Sequence, residues 1–358
     1  MLQPRAVLAA VAMGGLLLLA ACSSNSASSG TTSGAAAGGT VKVGLLLPET
    51  AVARYESKDK PYFEAKLKEL CPTCQFVYAN ANSDPAAQQQ QANSMLTQGV
   101  KVLVVDPLDG KAAATIVAAA KVKGVPVVAY DRLISSPDLS FVISNDYEKV
   151  GQLQGQALVH KLKADALPAG AGIIMMNGAV TDNNAGNIKK GALSIIKPSG
   201  YKILASTDTW DPAEAQTWVT GQITKFGKNI TGVYSANDGN AGGAIAAFKA
   251  AGLPVPPLTG LDASLPGLQS ILAGDQYMTT YNAFKHEADS AAIVAYDLAQ
   301  GKTPQSTAKI DGHPAVLNPP LAVTADNIES TVVADGFFKA AEICTPNFAA
   351  ACAKYGIK

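Results

Sequence analysis

The feature that most restricts the fold is a rhythm. Strand-length runs of Val, Ile, Leu and Ala, closed by Gly, Pro or Asx turns, alternate with segments of helical spacing from Val41 to about Gln300. The clearest run, Val125-Pro126-Val127-Val128-Ala129-Tyr130, follows Gly124 and passes directly into Asp131-Arg132 and a loop at Leu133-Ile134-Ser135-Ser136-Pro137. An apolar run of that length between breakers reads as a strand buried on both faces, as in parallel sheets. An acid and a base at its carboxyl end have two readings. One is a surface ion pair; the other is a ligand site, because open α/β sheets bind ligands outside the carboxyl ends of their strands. There a carboxylate and a planar guanidinium can grip the hydroxyls of a small polar molecule.

The pattern predicts strands at 41–47, 75–78, 101–105, 125–130 and 141–144, with helices at 58–70, 84–98, 110–123 and 147–162. It then repeats, with strands at 172–176, 202–206, 232–235, 257–260 and 277–280 and helices at 183–196, 213–226, 241–250, 265–273 and 285–300. Such β-α-β order argues parallel sheets covered by helices on both faces. With 358 residues the chain is long enough for two domains, and with only 6% aromatic residues their cores must be mainly aliphatic. The expected architecture is an α/β fold of two similar doubly wound parallel-sheet lobes joined by a hinge. The first lobe is expected to hold 41–146 and 282–312, the second 147–281 and 313–358. Chain crossings are expected near Asp146, at Thr280–Asn282 and at Asp311–Pro314.

The N-terminus reads as a processing signal. Arg5 precedes an apolar stretch from Ala6 to Ala21 that is short for a membrane span, and Leu19-Ala20-Ala21-Cys22 resembles a bacterial lipobox. Residues 1–22 are therefore expected to be a lipoprotein signal peptide with Cys22 as the lipidated residue, on the extracytoplasmic face of the cell membrane. Residues 23–40, nearly all Ser, Gly, Ala, Thr and Asn, suit a flexible tether. The remaining cysteines, Cys71, Cys74, Cys344 and Cys352, are even in number, as a disulfide framework in an exported protein requires. Local pairing, Cys71 with Cys74 and Cys344 with Cys352, closes the smallest loops and is the expectation, which spacing alone leaves open. Cys71-Pro72-Thr73-Cys74 also has the spacing of a redox or zinc motif, but no histidine or second CxxC accompanies it.

Polar residues recur where the expected strands end: Arg54-Tyr55, Asp131-Arg132, Asn145-Asp146, Asp182-Asn183-Asn184, Trp210-Asp211, Asn237-Asp238, Asp262 and Asn282. Singly each is weak evidence, since Asn and Asp are common in turns and at helix N-caps, and Asp182, Asn237 and Asp238 have capping as a bland reading. Together they line one cleft with acids, amides, a guanidinium and aromatics. That inventory suits a neutral polyol, whose hydroxyls bond to carboxylates and amides while Tyr55 or Trp210 covers a ring face. It does not suit a phosphate, which calls for backbone nests or several cations. The 28 basic residues balance 28 acidic ones, which gives no support for nucleic acid. An enzyme is the main rival class, since Asp131 and Asp262 are a pair of acids of the kind that hydrolyse glycosides. The chain has no HExxH, GxSxG or P-loop motif, however, and His160, His286 and His313 share no spacing. No cofactor or metal is expected.

The stretches Arg54-Tyr55, Ala129-Tyr130-Asp131-Arg132, Val180-Thr181-Asp182-Asn183-Asn184-Ala185, Ala236-Asn237-Asp238 with Gly242-Gly243-Ala244-Ile245, and Thr259-Gly260-Leu261-Asp262-Ala263 resemble the bacterial xylose-binding proteins. These belong to the ribose-type, or type I, sugar-binding proteins of ATP-driven importers. The likeness runs from about Val41 to Thr324-Ala325-Asp326-Asn327-Ile328 and Ala334-Asp335-Gly336-Phe337-Phe338. It implies a monomeric binding protein that hands a monosaccharide, D-xylose first, to a permease driven by a cytoplasmic ATPase. Arg54, Tyr55, Asp131 and Arg132 would hold the sugar from the first lobe. Asp182, Asn184, Trp210, Asn237 and Asp262 would close from the second, with Trp210 stacked on the ring. Where the family pattern has Tyr-Lys, with a sugar-binding lysine, this chain reads Tyr281-Asn282, and Lys285 is a nearby substitute. That leaves another pentose or glucose as alternatives. A sensor that presents closed lobes to a chemoreceptor, or binds a furanosyl signal, is the other reading. Removing Asp262 or Arg132 is expected to abolish binding and leave folding intact.

Overall fold

The computed structural model describes residues 40–358. The signal peptide, Cys22 and the tether up to Gly39 lie outside the described residues. The first half runs β1 (Lys42–Leu47), α1 (Lys60–Leu70), β2 (Gln75–Asn80), α2 (Pro85–Thr97), β3 (Val102–Val105), α3 (Ala114–Val122), β4 (Val127–Tyr130) and β5 (Phe141–Asn145). Then follow α4 (Tyr147–Ala164), β6 (Gly172–Asn177), α5 (Asn183–Ile196), β7 (Lys202–Asp208), α6 (Pro212–Phe226), β8 (Ile230–Ser235), α7 (Asp238–Ala250) and α8 (Leu265–Ala273). The chain ends with β9 (Thr279–Tyr281), α9 (Phe284–Ala299), β10 (Ala308–Ile310), β11 (His313–Asn318), β12 (Leu321–Val323), α10 (Ala340–Ile343) and α11 (Ala349–Tyr355).

Two sheets share one winding. The first has the order β10-β11-β5-β4-β3-β1-β2, parallel throughout except for the β10–β11 hairpin. The second begins β7-β6-β8, also parallel. It continues through the single bridges Val233–Leu258 and Leu261–Thr280 to the antiparallel pair β9–β12. The strand expected at 257–260 thus contributes a bridge and not a ladder. Pro254, Pro256 and Pro257 remove the donors a ladder would need.

Strand alternation divides each core in two. Val43, Leu45 and Leu47 of β1 face α1 and α9, with Phe63, Leu67, Ala288 and Ala292, whereas Leu46 faces Met95 of α2 and Ile116 of α3. In the second sheet Ile173 and Met175 meet Val150, Leu158 and Ile188, while Ile174 and Met176 meet Val219, Ala244 and Phe248. The C-terminal segment forms its own cluster, in which Phe337, Ile343 and Cys352 pack on Leu268 and Phe284. Disulfides join Cys71 to Cys74 between α1 and β2, and Cys344 to Cys352 between α10 and α11.

The chain passes between the sheets at Asn145–Tyr147, Tyr281–Phe284 and Asn318–Leu321. The last crossing corrects the expectation at Asp311–Pro314 and the lobe boundary drawn at 312/313. Asp311 and Gly312 both have positive φ, 48° and 86°, and make the two-residue turn of the β10–β11 hairpin. Strand β11 then pairs with β5 in the first sheet, Asn318 beside Asn145. The crossings lie side by side, since Asp146 N donates to Asn318 O and Leu321 pairs with Tyr281.

Candidate functional site

The carboxyl ends of both sheets face one gap. Arg54 and Tyr55 stand at a π-helical turn, Tyr55–Asp59, that runs into α1, with Lys60 N donating to Tyr55 O. The wide turn brings Tyr55 and Asp59 inward together, and both are buried. Asp131 and Arg132 follow β4 directly. Asp182 and Asn184 begin α5, Trp210 precedes α6, Asn237 caps α7, and Asp262 follows the Leu261 bridge. Asp131 and Asp262 both adopt positive φ, 60° and 97°. Non-glycine residues hold that strained conformation only where their surroundings impose it. Here Asp131 N is fixed by Ile143 O at 2.7 Å and Asp262 N by Thr280 O at 2.9 Å.

All the expected residues but one line the same narrow space, of about 30 Å³. The exception is Asn282, which is 0% exposed and does not line it. Neither polar atom of its amide has a hydrogen-bond partner among the described residues. Lys285 does not replace the family lysine, because its ammonium is engaged with Asp289 at 2.6 Å on the exposed side of α9. Val52, Tyr147, Ile188 and Leu261 also line the space and were not foreseen. Tyr147 was legible as the first residue after the Asn145-Asp146 strand end; the apolar three carry no local signal.

Two buried arginines organise the first wall. Arg54 Nη2 donates to Asp131 Oδ2 at 2.6 Å and lies 3.4 Å from Asp59 and 4.0 Å from Glu287. Its guanidinium stacks on Phe284, 3.9 Å from the ring centre. Arg132 Nη2 donates to Glu49 at 2.8 Å and to the Tyr55 hydroxyl at 3.0 Å, while its Nε lies 3.1 Å from Asp182. Burial opposes both charges, but the surrounding carboxylates hold both guanidinium pKa values well above the ordinary one. Glu287 and Asp106 are also fully buried, and burial pushes both well above the carboxylate range, further raised by Asp131 and partly offset by the arginines. Burial thus favours the protonated form of those two carboxyls, which eases the crowding of acids around two cations.

The second wall is more open. Asp182 combines both roles weighed for it: Oδ1 caps α5 by accepting from Asn184 N at 2.8 Å, while Oδ2 accepts from Trp210 Nε1 at 3.0 Å. The Trp210 ring lies flat over Gly178, where a Cβ would come within 2.0 Å of it. Asn237 Oδ1 caps α7 through Asn240 N at 2.9 Å, which leaves its Nδ2 without a protein acceptor among the described residues. The Asp262 carboxyl, 9% exposed, likewise has no protein donor among them. Burial, opposed by Arg54, pushes it up to about 7. Asp238 is a tie and not a wall residue of this space. It accepts from Ser264 N at 2.8 Å and Gln276 Nε2 at 2.8 Å.

The walls touch directly. Asn184 Nδ2 donates to Asp131 O and Oδ1, each at 3.1 Å, Asn183 Nδ2 to Leu133 O at 3.1 Å, and Gly110 N to Thr181 O at 3.4 Å. Two wound sheets, three adjacent crossings and a polar gap with unsatisfied groups define a two-lobed solute-binding protein. Comparisons with known proteins make the class specific. A family model described as a periplasmic binding protein domain matches residues 43–303. The D-xylose-binding periplasmic protein of Escherichia coli (strain K12) is 35% identical over 314 residues, 85% of this chain and 92% of that one. Its namesake in Haemophilus influenzae is 33% identical over 308 residues, 83% of this chain and 90% of that one. Among solved structures, an ABC transporter solute-binding protein of Clostridium phytofermentans with bound β-D-glucose superposes with a TM-score of 0.77 at 24% identity, covering 84% and 99% of the chains, a likeness of fold. The chain belongs to the periplasmic binding protein family, in its xylose-type, type I sugar-binding branch.

Proposed function

We propose that this protein captures a monosaccharide, D-xylose first, between its two lobes outside the cytoplasm and delivers it to an ABC permease. It is a binding protein and not an enzyme, as its family is. The observation that carries the sugar reading is the pair of unsatisfied groups on one wall, the Asp262 carboxyl and Asn237 Nδ2, beside the Trp210 indole and opposite Asp131 and Arg132. An acceptor, a donor and an aromatic face are what a pyranose ring offers partners for.

Closure follows from the same geometry. A space of about 30 Å³ admits roughly two waters, so a sugar ring enters only when the walls part. The crossings at 145–147, 281–284 and 318–321 would act as the hinge, and a sugar bonded to both walls biases the closed state. The direct bonds from Asn183 and Asn184 supply part of that bias without ligand, which lowers what the sugar must add. A thermal-shift panel of pentoses and hexoses, followed by calorimetry, tests the reading. D-Xylose is expected to give the largest shift, and a panel with no response removes the proposal. Since Asn282 stands clear of the gap, D-glucose and other pentoses are the next sugars to test.

The chain is held to the membrane through acyl chains on Cys22 and acts as a monomer. Loss of fatty-acid labelling in Cys22→Ala, and a single-chain mass in light scattering, are the expected results.

A further inference from the structure

A second cavity of about 770 Å³ adjoins the candidate sugar site and shares Val52, Arg54, Asn237 and Asp262 with it. The shared residues include both of the unsatisfied polar groups, so the two spaces meet at the point where a ring hydroxyl would be held. Away from that rim the lining is mainly apolar, with Lys58, Gln216, Asp238 and Glu342 among its polar and charged members. Phe337, Phe338, Leu265 and Pro266 form one side, and the exposed face of α7 at Gly242 and Ala246 forms the other. A cavity of this size, largely apolar with polar groups at one end, matches the general form of a small-molecule site.

The aromatic side is held in place. Lys58 Nζ donates to Phe337 O at 2.5 Å and lies 3.9 Å from the Phe338 ring centre, so the loop after β1 grips the C-terminal segment. Phe337 packs edge-on to Phe338 with centroids 4.8 Å apart, and Phe338 is only half-buried. On the opposite side, a Cβ at Gly242 would meet nothing within 4 Å. Neighbouring Gly243 is different, since a Cβ there would come within 2.4 Å of Pro212 O; it serves the packing of α6 on α7. Gly242 therefore leaves room that helix packing does not require.

We propose that this cavity is a second subsite of the same ligand site, which takes the aromatic substituent of a glycoside whose sugar ring lies between Arg132 and Asp262. The proposal rests on the sugar-binding reading above. A substituent on a hydroxyl near Asp262 and Asn237 leaves the narrow gap for a mainly apolar wall with an aromatic face, where it is desolvated at little polar cost.

The test is calorimetry on the whole mature protein with D-xylose, D-glucose and both anomers of the 4-nitrophenyl glycoside of each. One nitrophenyl anomer is expected to bind within about tenfold of its parent sugar or more tightly. Gly242→Leu and Ala246→Leu, both on the exposed face of α7, are expected to weaken that glycoside at least about tenfold and to change the parent sugar less than about twofold. Glycosides that all bind more than about tenfold more weakly than their parent sugars overturn the subsite and leave the sugar site standing. Equal loss of sugar and glycoside in both leucine variants also overturns it. If no free sugar binds the native protein, the sugar reading falls and the subsite with it.

Discussion

Asp262 and Arg132 look alike in the sequence, each a charged residue just past a strand, and the structure separates them. Asp262 has no protein donor among the described residues, whereas Arg132 holds Glu49, Tyr55 and Asp182 together. The expectation that either can be removed without harm to folding therefore stands for Asp262 alone. Asp262→Ala is expected to weaken sugar binding by at least about a hundredfold, read by calorimetry, in a protein that still folds and unfolds cooperatively. Arg132→Ala strands buried carboxyls and is expected to cost roughly 3 kcal/mol in denaturant unfolding, as well as binding. The raised acids have a consequence for pH. Burial lifts Asp262 to about 7 and Asp59 to about 6, above the unfolded value of about 3.9. The folded state binds those protons more tightly, so their contribution grows as pH falls through 7 and 6 and is lost as pH rises through them. The unliganded protein is expected to melt on the order of 2–4 °C higher at about pH 5 than at about pH 8, and Asp262→Asn to flatten that slope. A melting temperature that falls over the same interval contradicts the sign.

At the scale of elements, the strand-to-helix turns carry two duties at once. Asp182 and Asn237 cap α5 and α7 with one atom and turn another toward the gap. The helix N-termini thus aim the site, and the helices must be held firmly on the sheet. Helices α4 and α5 are locked by glycines: a Cβ on Gly151 would come within 1.9 Å of Ile188 O, and one on Gly191 within 2.0 Å of Glu148 O. Ile188 lines the gap, one turn beyond Asn184. Gly151→Ala is expected to spread the pair, costing roughly 1–3 kcal/mol, and to weaken sugar binding through the displaced Asn184. Unfolding and calorimetry on one variant check both, and intact binding at lowered stability would separate the packing from the site. Helix-wall and strand positions were largely legible, since the 183–196 and 265–273 periodicities coincide with α5 and α8. The hairpin at Asp311-Gly312 has a local signal too, an Asp-Gly turn between short runs.

For the whole molecule, the repeated winding sets two polar rims against each other and brings all the crossings to one side. Rigid lobes about such a hinge are expected to compact on binding. Small-angle scattering should show a smaller radius of gyration with saturating sugar, and Asn183→Ala, which removes the bond to Leu133 O, a larger one without it. No change in either would show that the lobes do not move. The sequence by itself determined the α/β class, the lobes' repeated order and most of the rim, because apolar periodicity and turn chemistry are local properties. Only the tertiary structure decided that Arg132 is a structural hub, that Asn282 stands apart from the gap, and that Tyr147, Val52, Ile188 and Leu261 line it. Those facts depend on which distant segments share a desolvated space, and burial and pairing across 50 or 80 residues leave no mark on local spacing.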